Sequence, residues 1–531
     1  MVFSSSIFLF VFLPLVLLAY FCPLKHLPTG MKTTALGAVT LLLAAWLLPG
    51  EFPVSYLFIA AAVFFTGAML FHPLRTITDT SWKNTVLLIA SLIFYAWGEP
   101  VYILLLLFSI IFNHLMGLWV SVNRQKTGGK LIMILTVAVN VSLFFIFKYL
   151  GFACDNLNLI LDGRLPSVNI ALPIGISFFT FQALSYVADV YRGDVPVEKN
   201  PLKTALYIAL FPQLIAGPII RYRQIAGSLS CRRETFDDFA AGTIRFTVGL
   251  GKKMIIANAC GYLADQAFAA PPEKMSVLLA YLGAFGYTFQ IYFDFSGYSD
   301  MAIGLGRMFG FHFPENFNFP YIARSITDFW RRWHISLSGW FRDYVYIPLG
   351  GNRTGSKFRM LFNLLTVWLL TGIWHGANWT FICWGLGYFI LLTIERAAGL
   401  NRKNPVAGWF YTMPCVIALW VLFRSPDIAF AFRYLKTMCF AGKLPYYLPE
   451  HLFLLKEYAW ALTAGAVFSI PVIPYCRKHN FFIRKIMTSS GRKTFLMVLN
   501  TAAFTVLVLL LLLGISFVVK STNNPFIYFN F

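Results

Sequence analysis

Long stretches without a charged side chain recur along this sequence, and they constrain its fold more than any other feature. From Met360 to Ile394, 35 consecutive residues contain no Asp, Glu, Lys or Arg and one histidine, His375. A membrane-spanning helix needs about 20 mostly apolar residues, so such stretches predict helices in lipid. Hydrophobic residues make up 58% of the chain and charged residues 12%. This composition excludes an ordinary soluble enzyme, because soluble domains carry roughly 25% charged residues.

The apolar stretches together predict an all-α polytopic membrane protein with about twelve transmembrane helices. The clearest crossings are predicted at 1–24, 33–50, 52–74, 84–98, 100–123, 131–147, 406–423, 458–475 and 494–519. The first lacks the cleavage site of a signal peptide and is expected to remain as a helix. Apolar segments in the middle of the chain are shorter and rich in Gly, Pro and polar residues, near 170–190, 203–220, 239–265 and 276–311. They predict re-entrant or half-helices around a water-filled cavity.

The basic character of the chain indicates its topology rather than nucleic-acid binding. Forty-three Lys and Arg against 22 Asp and Glu give a formal charge of +21. The basic residues cluster in short connectors between apolar stretches, as in cytoplasmic loops. By the positive-inside rule, both termini are therefore expected outside the cytoplasm. The eight cysteines form no CxxC pair, so neither a disulfide framework nor a metal site is expected.

His375 is a candidate catalytic base because an ionisable group is costly inside an apolar stretch. Gly376, Ala377 and Asn378 follow it and predict a break between two helices. A neutral imidazole at such a break can take a proton from an attacking hydroxyl. The alternative is a structural histidine that is hydrogen-bonded to a neighbouring helix.

A second candidate segment, 328–348, mixes Trp, Arg and Asp around His334. This mixture suits a polar funnel on the cytoplasmic side. Its arginines are suited to the phosphates of an activated acyl donor, with Trp333 beside them; these candidates are Arg331, Arg332 and Arg342. An interfacial amphipathic helix with snorkelling arginines remains the alternative.

The last residues form a third feature, with four aromatic side chains between Phe526 and Phe531. Such a tail is expected to fold back into a groove on the outer side. Anchoring in the outer aromatic belt of the membrane is the alternative, and physical reasoning alone favours it.

These three features together resemble the membrane-bound O-acyltransferases, and among them the bacterial alginate O-acetyltransferase branch. The resemblance rests on Trp-Arg-Arg-Trp-His ending at His334, on Trp-Phe-Arg-Asp-Tyr-Val-Tyr-Ile-Pro ending at Pro348, and on Thr-Gly-Ile-Trp-His-Gly ending at Gly376. It also includes the segments 94–100 and 292–300 and the aromatic ending, so it covers nearly the whole chain. It implies a ring of helices around a thinned centre, where a cytoplasmic funnel meets an outer cavity near His375.

The resemblance also implies roles for individual residues. His375 and His334 correspond to the two important histidines of the family, and Phe526, Tyr528 and Phe531 fit a Phe-x-Tyr-x-x-Phe motif whose Tyr carries the acyl group. Four polar residues are expected to support them, namely Asp294, Asp300, Asp328 and Asn378. The implied donor is acetyl-coenzyme A or an acylated carrier protein, with no bound cofactor. The implied partners are membrane lipid, a polysaccharide acceptor and an extracytoplasmic acyltransferase of the SGNH-hydrolase type, with no nucleic acid.

The sequence therefore predicts one membrane domain over 1–531 in a bacterial inner membrane. Its parts are N-terminal helices (1–150), a catalytic core (170–400), C-terminal helices (401–519) and the tail (520–531). The predicted activity is transfer of an acyl group, acetyl in the first place, for O-acetylation of an extracytoplasmic polysaccharide. Transfer of D-alanine to a cell-wall polymer is a rival within the family. A proton-coupled transporter or flippase is the rival from another class, since it would also bury His and Asp.

Overall fold

The computed structural model describes residues 1–21, 79–353, 355–399, 404–439, 444–472 and 489–520. Over these ranges the chain is helical and has no β-strand. Its α-helices are α1 (Leu13–Phe21), α2 (Asp79–Gly98), α3 (Ile103–Asn123), α4 (Thr127–Asn158), α5 (Ile176–Arg192), α6 (Pro201–Ala209), α7 (Phe211–Leu214), α8 (Tyr222–Ser230), α9 (Phe236–Gly251), α10 (Asn258–Phe268), α11 (Val277–Met308), α12 (Ile326–Arg332), α13 (Ile335–Phe341), α14 (Lys357–His375), α15 (Trp379–Ala398), α16 (Pro405–Arg424), α17 (Ile428–Met438), α18 (Pro449–Phe468) and α19 (Ser489–Lys520). Short π-helical and 3₁₀ segments lie at Phe8–Phe12, Lys252–Ala257, Pro272–Lys274, Pro320–Ile322 and Arg342–Tyr346.

Local capping explains where several of these helices begin and end. Asn378, Asn404 and Asp427 each precede a helix, and each side chain accepts a hydrogen bond from a backbone N–H of the first turn. At the other end of a helix, Gly193 follows α5 with a φ of 80°, a conformation that glycine adopts without steric cost.

Five helices in the described part of the chain are long and apolar enough to cross a membrane, judged by length and composition. They are Ile103–Asn123, Thr127–Asn158, Trp379–Ala398, Pro405–Arg424 and Met497–Lys520. Four of them match crossings predicted at 100–123, 131–147, 406–423 and 494–519. The crossings predicted at 33–50 and 52–74 lie outside the described residues. The all-helical class is confirmed, whereas the number of twelve crossings and the ring around a two-sided cavity stay predictions.

The middle of the chain contains longer helices than predicted. The segment 276–311 falls on α11, a single helix of 32 residues, so the prediction of half-helices is wrong there. The segment 239–265 is also continuously helical, because a π-helical turn joins α9 to α10. Glycine serves close packing here rather than helix breaking, since a β-carbon on Gly297 would lie 2.8 Å from the carbonyl oxygen of Gly249. The short helices α6 and α7 are nearer to what was predicted for 203–220.

The chain divides into two compact units. Unit 1 comprises Met1–Phe239 with Gly306–Phe313, and unit 2 comprises Ala240–Leu305 with Pro314–Phe531. His334 and His375 both belong to unit 2. The predicted boundaries within the membrane domain stay a prediction.

Aromatic side chains fill the core of unit 1 near the start of the chain. This cluster consists of five phenylalanine rings, those of Phe3, Phe8, Phe12, Phe94 and Phe211. The ring centroids lie 5.1 Å apart in the pair Phe3–Phe8 and 6.5 Å apart in the pair Phe3–Phe211. Rings at these distances bury large apolar areas and pack edge to face or tilted. The segment 94–100, which is part of the resemblance described above, therefore begins in the core of this unit.

Helices α14 and α15 form an antiparallel hairpin in unit 2 with His375 at its turn. Their backbones approach closely, because a β-carbon on Gly372 would lie 2.5 Å from the carbonyl oxygen of Phe381. Gly385 makes the matching approach to the carbonyl oxygen of Trp368. Two glycines thus bring the arms of the hairpin into direct backbone contact.

Candidate active site

The predicted helix break after His375 is confirmed. Helix α14 ends at His375, and Gly376 continues in extended backbone with φ −179° and ψ 161°. Asn378 then caps α15 by accepting a hydrogen bond from the Thr380 N–H at 3.0 Å. Its Nδ2 also donates to the carbonyl oxygen of Pro426 at 2.9 Å, which fixes the turn to the end of α16. Asn378 thus holds the turn that follows His375, and its role in supporting that histidine stays a prediction.

Aromatic rings surround the imidazole of His375, which is 4% exposed. The centroids of Trp374 and Trp384 lie 4.9 Å from that of His375, and the centroid of Phe423 lies 5.0 Å away. All three rings meet the imidazole edge to face, at interplanar angles of 77°, 81° and 81°. Such walls lower the local dielectric and strengthen any electrostatic interaction made by a reacting group.

His334 is completely buried and has an unusual backbone. It lies between α12 and α13 with φ 43° and ψ 54°, in the left-handed region that side chains other than glycine seldom adopt. Its Nδ1 lies 3.2 Å from Oδ1 of Asn316, and its ring meets that of Phe295 at a centroid distance of 4.6 Å. Burial lowers the pKa of His334 to about 3, so the imidazole is neutral at physiological pH.

The indole ring of Trp374 contacts both histidines. The centroid of Trp374 is 4.9 Å from that of His375 and 6.0 Å from that of His334. The structure therefore brings together two imidazoles that are distant in the sequence, and both contact the same side chain.

The predicted donor-binding residues fall into two environments. Arg331 and Arg342 are exposed, and Arg342 Nε pairs with Asp343 at 2.7 Å. Arg332 is partly buried and is bound by Asp328 Oδ1, 2.9 Å from its Nε. Exposed guanidinium groups on one short segment are available to phosphate or carboxylate. Their role as donor ligands stays a prediction.

Trp333 lies in the aromatic core of unit 2 rather than on this basic surface. Its indole is 1% exposed and contacts Phe329 and Trp420, at centroid distances of 5.6 and 4.9 Å. These contacts give it a packing role beside His334. Its assignment to donor binding stays a prediction.

The predicted acidic support residues are held in ion pairs. Asp294 pairs with Lys253 at 2.6 Å, and both side chains are buried. Asp300 pairs with Lys252 at 2.7 Å and with Arg245 at 2.8 Å. Asp328 forms the salt bridge to Arg332 described above. These contacts make the carboxylates parts of the scaffold, and a direct role at His375 or His334 stays a prediction.

Sequence reasoning missed several residues that shape this site. Asn316, Trp384 and Phe423 contact the two histidines, but no local pattern distinguishes them in the sequence. Glu395, which is 1% exposed, accepts hydrogen bonds from the Ile326 N–H at 2.6 Å and the Thr327 N–H at 3.2 Å. It thereby caps α12, and its position after an apolar stretch was the signal that could have revealed it. The tail motif Phe526, Tyr528 and Phe531 lies outside the described residues.

Comparison with known proteins identifies the family of this chain. The family model for MBOAT, the membrane-bound O-acyltransferase family, matches residues 89–430. The probable alginate O-acetylase AlgI of Pseudomonas aeruginosa is 46% identical over 70% of this chain and 72% of that protein. The peptidoglycan O-acetyltransferase of Helicobacter pylori is 35% identical over 84% of this chain and 91% of that protein. The teichoic acid D-alanyltransferase of Bacillus subtilis is 32% identical over 51% and 69%, respectively. With its apolar helices and its paired buried histidines, this chain is a multi-pass membrane protein that belongs to the membrane-bound O-acyltransferase family, and it is an O-acyltransferase.

Proposed function

We propose that this chain transfers an acetyl group from a thioester donor in the cytoplasm towards a polysaccharide outside the inner membrane. The observation that carries this proposal is the pair of buried imidazoles, His334 and His375, which both contact Trp374 in a membrane O-acyltransferase. Relatives named for acetylation of alginate and of peptidoglycan support a glycan as the final acceptor. Membership of an enzyme family favours acyl transfer over the transporter alternative.

His375 is the general base of the proposed reaction. A hydroxyl attacks the thioester carbonyl and passes its proton to the neutral imidazole, so that a C–O bond forms while the C–S bond breaks. The proton then moves from the imidazolium to the departing thiolate, which leaves as a thiol. General base catalysis of this kind typically contributes 10²–10⁴-fold to the rate. The aromatic walls around His375 keep competing water away from the thioester.

Three arginines hold the donor in this scheme. Arg331, Arg332 and Arg342 belong to one short segment, and planar guanidinium groups bind phosphate through paired hydrogen bonds. Acetyl-coenzyme A and an acylated carrier protein both present a thioester on a phosphate-bearing arm. By the positive-inside rule, this segment lies on the cytoplasmic side in the proposed topology, and both chain termini lie outside.

Tyr528 is the proposed nucleophile, with Phe526 and Phe531 anchoring the tail. An acyl-tyrosine ester stays activated, because the phenolate, with a pKa of about 10, leaves more readily than a sugar alkoxide. A separate extracytoplasmic acyltransferase of the SGNH-hydrolase type then moves the acetyl group to the polysaccharide. This relay lets donor and acceptor react from opposite sides of the membrane.

Intact-mass analysis of the purified full chain tests the proposal. Wild-type protein incubated with labelled acetyl-coenzyme A, or with acetylated carrier protein, is expected to gain one acetyl group that maps to Tyr528. Tyr528→Phe is expected to remain unmodified. Tyr447→Phe, at an exposed tyrosine on the same chain, is the matched control and should acylate normally. Acetylation of Tyr528→Phe at the wild-type level would remove the relay.

D-Alanine transfer is the second candidate, favoured by the similarity to a teichoic acid D-alanyltransferase. The same mass experiment with a D-alanyl thioester distinguishes the two. A D-alanyl adduct without an acetyl adduct would overturn acetyl transfer and support D-alanine transfer. Failure of both donors to modify the chain would overturn the covalent scheme.

A further inference from the structure

Asn316 is the residue that fixes the side chain of His334. Its Oδ1 lies 3.2 Å from His334 Nδ1, 3.2 Å from the Ser336 backbone nitrogen and 2.9 Å from Ser336 Oγ. Its Nδ2 lies 3.1 Å from Oγ of Ser299 on α11. Asn316 is itself 1% exposed, so these partners account for both ends of a buried amide.

The surrounding groups determine which way this amide points. A backbone N–H can only donate a hydrogen bond, so the atom of Asn316 that faces Ser336 N must be the oxygen. The same oxygen faces His334 Nδ1, and an amide oxygen can only accept. His334 must therefore carry its proton on Nδ1. Since the buried ring is neutral, its Nε2 has a free lone pair.

The other ring nitrogen of His334, Nε2, is buried and has no hydrogen-bond partner among the residues that the structure describes. A buried acceptor without a partner is costly in a folded protein and calls for an explanation. Trp374, which also contacts His375, lies beside this ring at a centroid distance of 6.0 Å.

The backbone around His334 is held as firmly as the ring. The Ile335 N–H donates to the Asn316 carbonyl oxygen at 3.0 Å, and the Asn318 N–H donates to the Arg332 carbonyl oxygen at 2.9 Å. Phe319, which follows Asn318 on the loop between α11 and α12, also has a positive φ, of 47°. Strained backbone persists only where its surroundings over-determine it, and such places are enriched at functional sites.

We propose that Asn316 is a positioning residue, which holds His334 as the Nδ1–H tautomer so that Nε2 accepts a hydrogen bond from an O–H or N–H group of the bound substrate. This inference rests on the proposed function for the identity of the substrate. The tautomer itself follows from the hydrogen bonds of Asn316 alone. Catalysis then has two imidazoles with different tasks, a proton acceptor at His375 and a fixed hydrogen-bond acceptor at His334.

The tautomer is measured by ¹⁵N NMR of the full chain in lipid bilayers, with labelled histidine. The signals of His334 are assigned as those lost in His334→Asn, since Asn tolerates the left-handed backbone. Wild-type protein is expected to show a protonated Nδ1 and an unprotonated Nε2 at neutral pH. A protonated Nε2 with a bare Nδ1 would overturn the proposal, whether or not acyl transfer is detected.

The substitution Asn316→Asp tests the consequence for the reaction. A carboxylate next to Nδ1 stabilises the imidazolium and raises the pKa of His334 by roughly 1 to 3 units. Nε2 is then protonated at low pH, so acyl transfer is expected to fall and to recover as the pH is raised. The activity profile should therefore shift towards higher pH. Asn169→Asp, at an exposed asparagine outside this loop, is the matched control and should leave the profile in place.

A merely structural role for Asn316 gives a different result. Loss of packing would lower the activity of Asn316→Asp by a similar factor at every pH, without moving the profile, and this outcome would overturn the proposal. If Asn316→Asp does not fold, Asn316→Ala replaces it in the NMR experiment. Removal of the acceptor is then expected to give a mixture of both neutral tautomers, and an unchanged Nδ1–H signal would contradict the assigned role.

Discussion

The two buried histidines are held in contrasting ways. His334 is fixed by hydrogen bonds from a loop, with Asn316 at its Nδ1 and a strained backbone beneath it. His375 lies at the end of a helix, enclosed by the rings of Trp374, Trp384 and Phe423. Hydrogen bonds select one tautomer and one direction, whereas aromatic walls shape a space and exclude water. The comparison shows that the orientation of the His334 ring is fixed by hydrogen bonds, whereas the His375 ring is enclosed by aromatic side chains.

The largest expected effect is on catalysis, and it tests the proposed role of His375 as the proton acceptor. His375→Ala is expected to lower acyl transfer by about 10²–10⁴-fold, the usual contribution of a general base. The rate of acyl transfer from the thioester donor in proteoliposomes measures this loss. His312→Ala, at an exposed histidine, should retain wild-type activity. An activity of His375→Ala close to wild type would remove the distinction between the two imidazoles.

The enclosure around His375 is tested by removing one wall. Trp384 is fully buried, so Trp384→Ala is expected to destabilise the protein by about 3–5 kcal/mol, as is typical of large aromatic truncations. Thermal unfolding in detergent micelles is the measurement. Trp460→Ala, at a half-exposed tryptophan on α18, should cost much less. Equal losses in the two variants would mean that the aromatic wall contributes nothing specific.

The burial of the His334 imidazole predicts that the stability of the protein depends on pH. The pKa of His334 lies near 3 in the folded protein because of burial, below its ordinary value of 6.5. The unfolded chain therefore binds the extra proton between these values, and stability falls as the pH is lowered through this window. The slope from this group is about 1.4 kcal/mol per pH unit. His334→Asn lacks the group, so its unfolding should be less pH-dependent, and identical slopes would contradict the burial of a neutral ring.

The smallest expected effect concerns the backbone of His334. A φ of 43° costs a residue with a β-carbon about 1–2 kcal/mol, and glycine avoids this cost. His334→Gly is therefore expected to be more stable than His334→Ala by about 1 kcal/mol. Both variants lack the imidazole, so their difference in unfolding temperature isolates the strain. A more stable Ala variant would show that the backbone is relaxed.

Parts of this arrangement were predictable because they depend on neighbouring residues. The break after His375 follows from Gly376 and the capping preference of Asn378, both adjacent in sequence. The membrane character follows from the length of the apolar stretches. The resemblance to one family is confirmed by the family match, whereas the roles of the two histidines stay predictions.

Other parts depend on contacts between distant residues, which local patterns do not encode. The tautomer of His334 is determined by Asn316, 18 residues earlier, and nothing around Asn316 marks it as special. Glu395 caps a helix that begins at Ile326, 69 residues away. The prediction of half-helices is wrong for α11, because glycines that resemble helix breakers in the sequence lie within one continuous helix. In the folded chain they are instead points of contact between helices.

The glycine contacts between α14 and α15 make the position of His375 sensitive to changes far from the chemistry. Gly372 and Gly385 let the two arms touch through their backbones, so neither arm has a side chain that could yield. A methyl group at Gly385 would wedge the arms apart and displace the imidazole at the turn. Evolutionary and engineered variation in this enzyme should therefore spare these glycines as strictly as the histidine that they position.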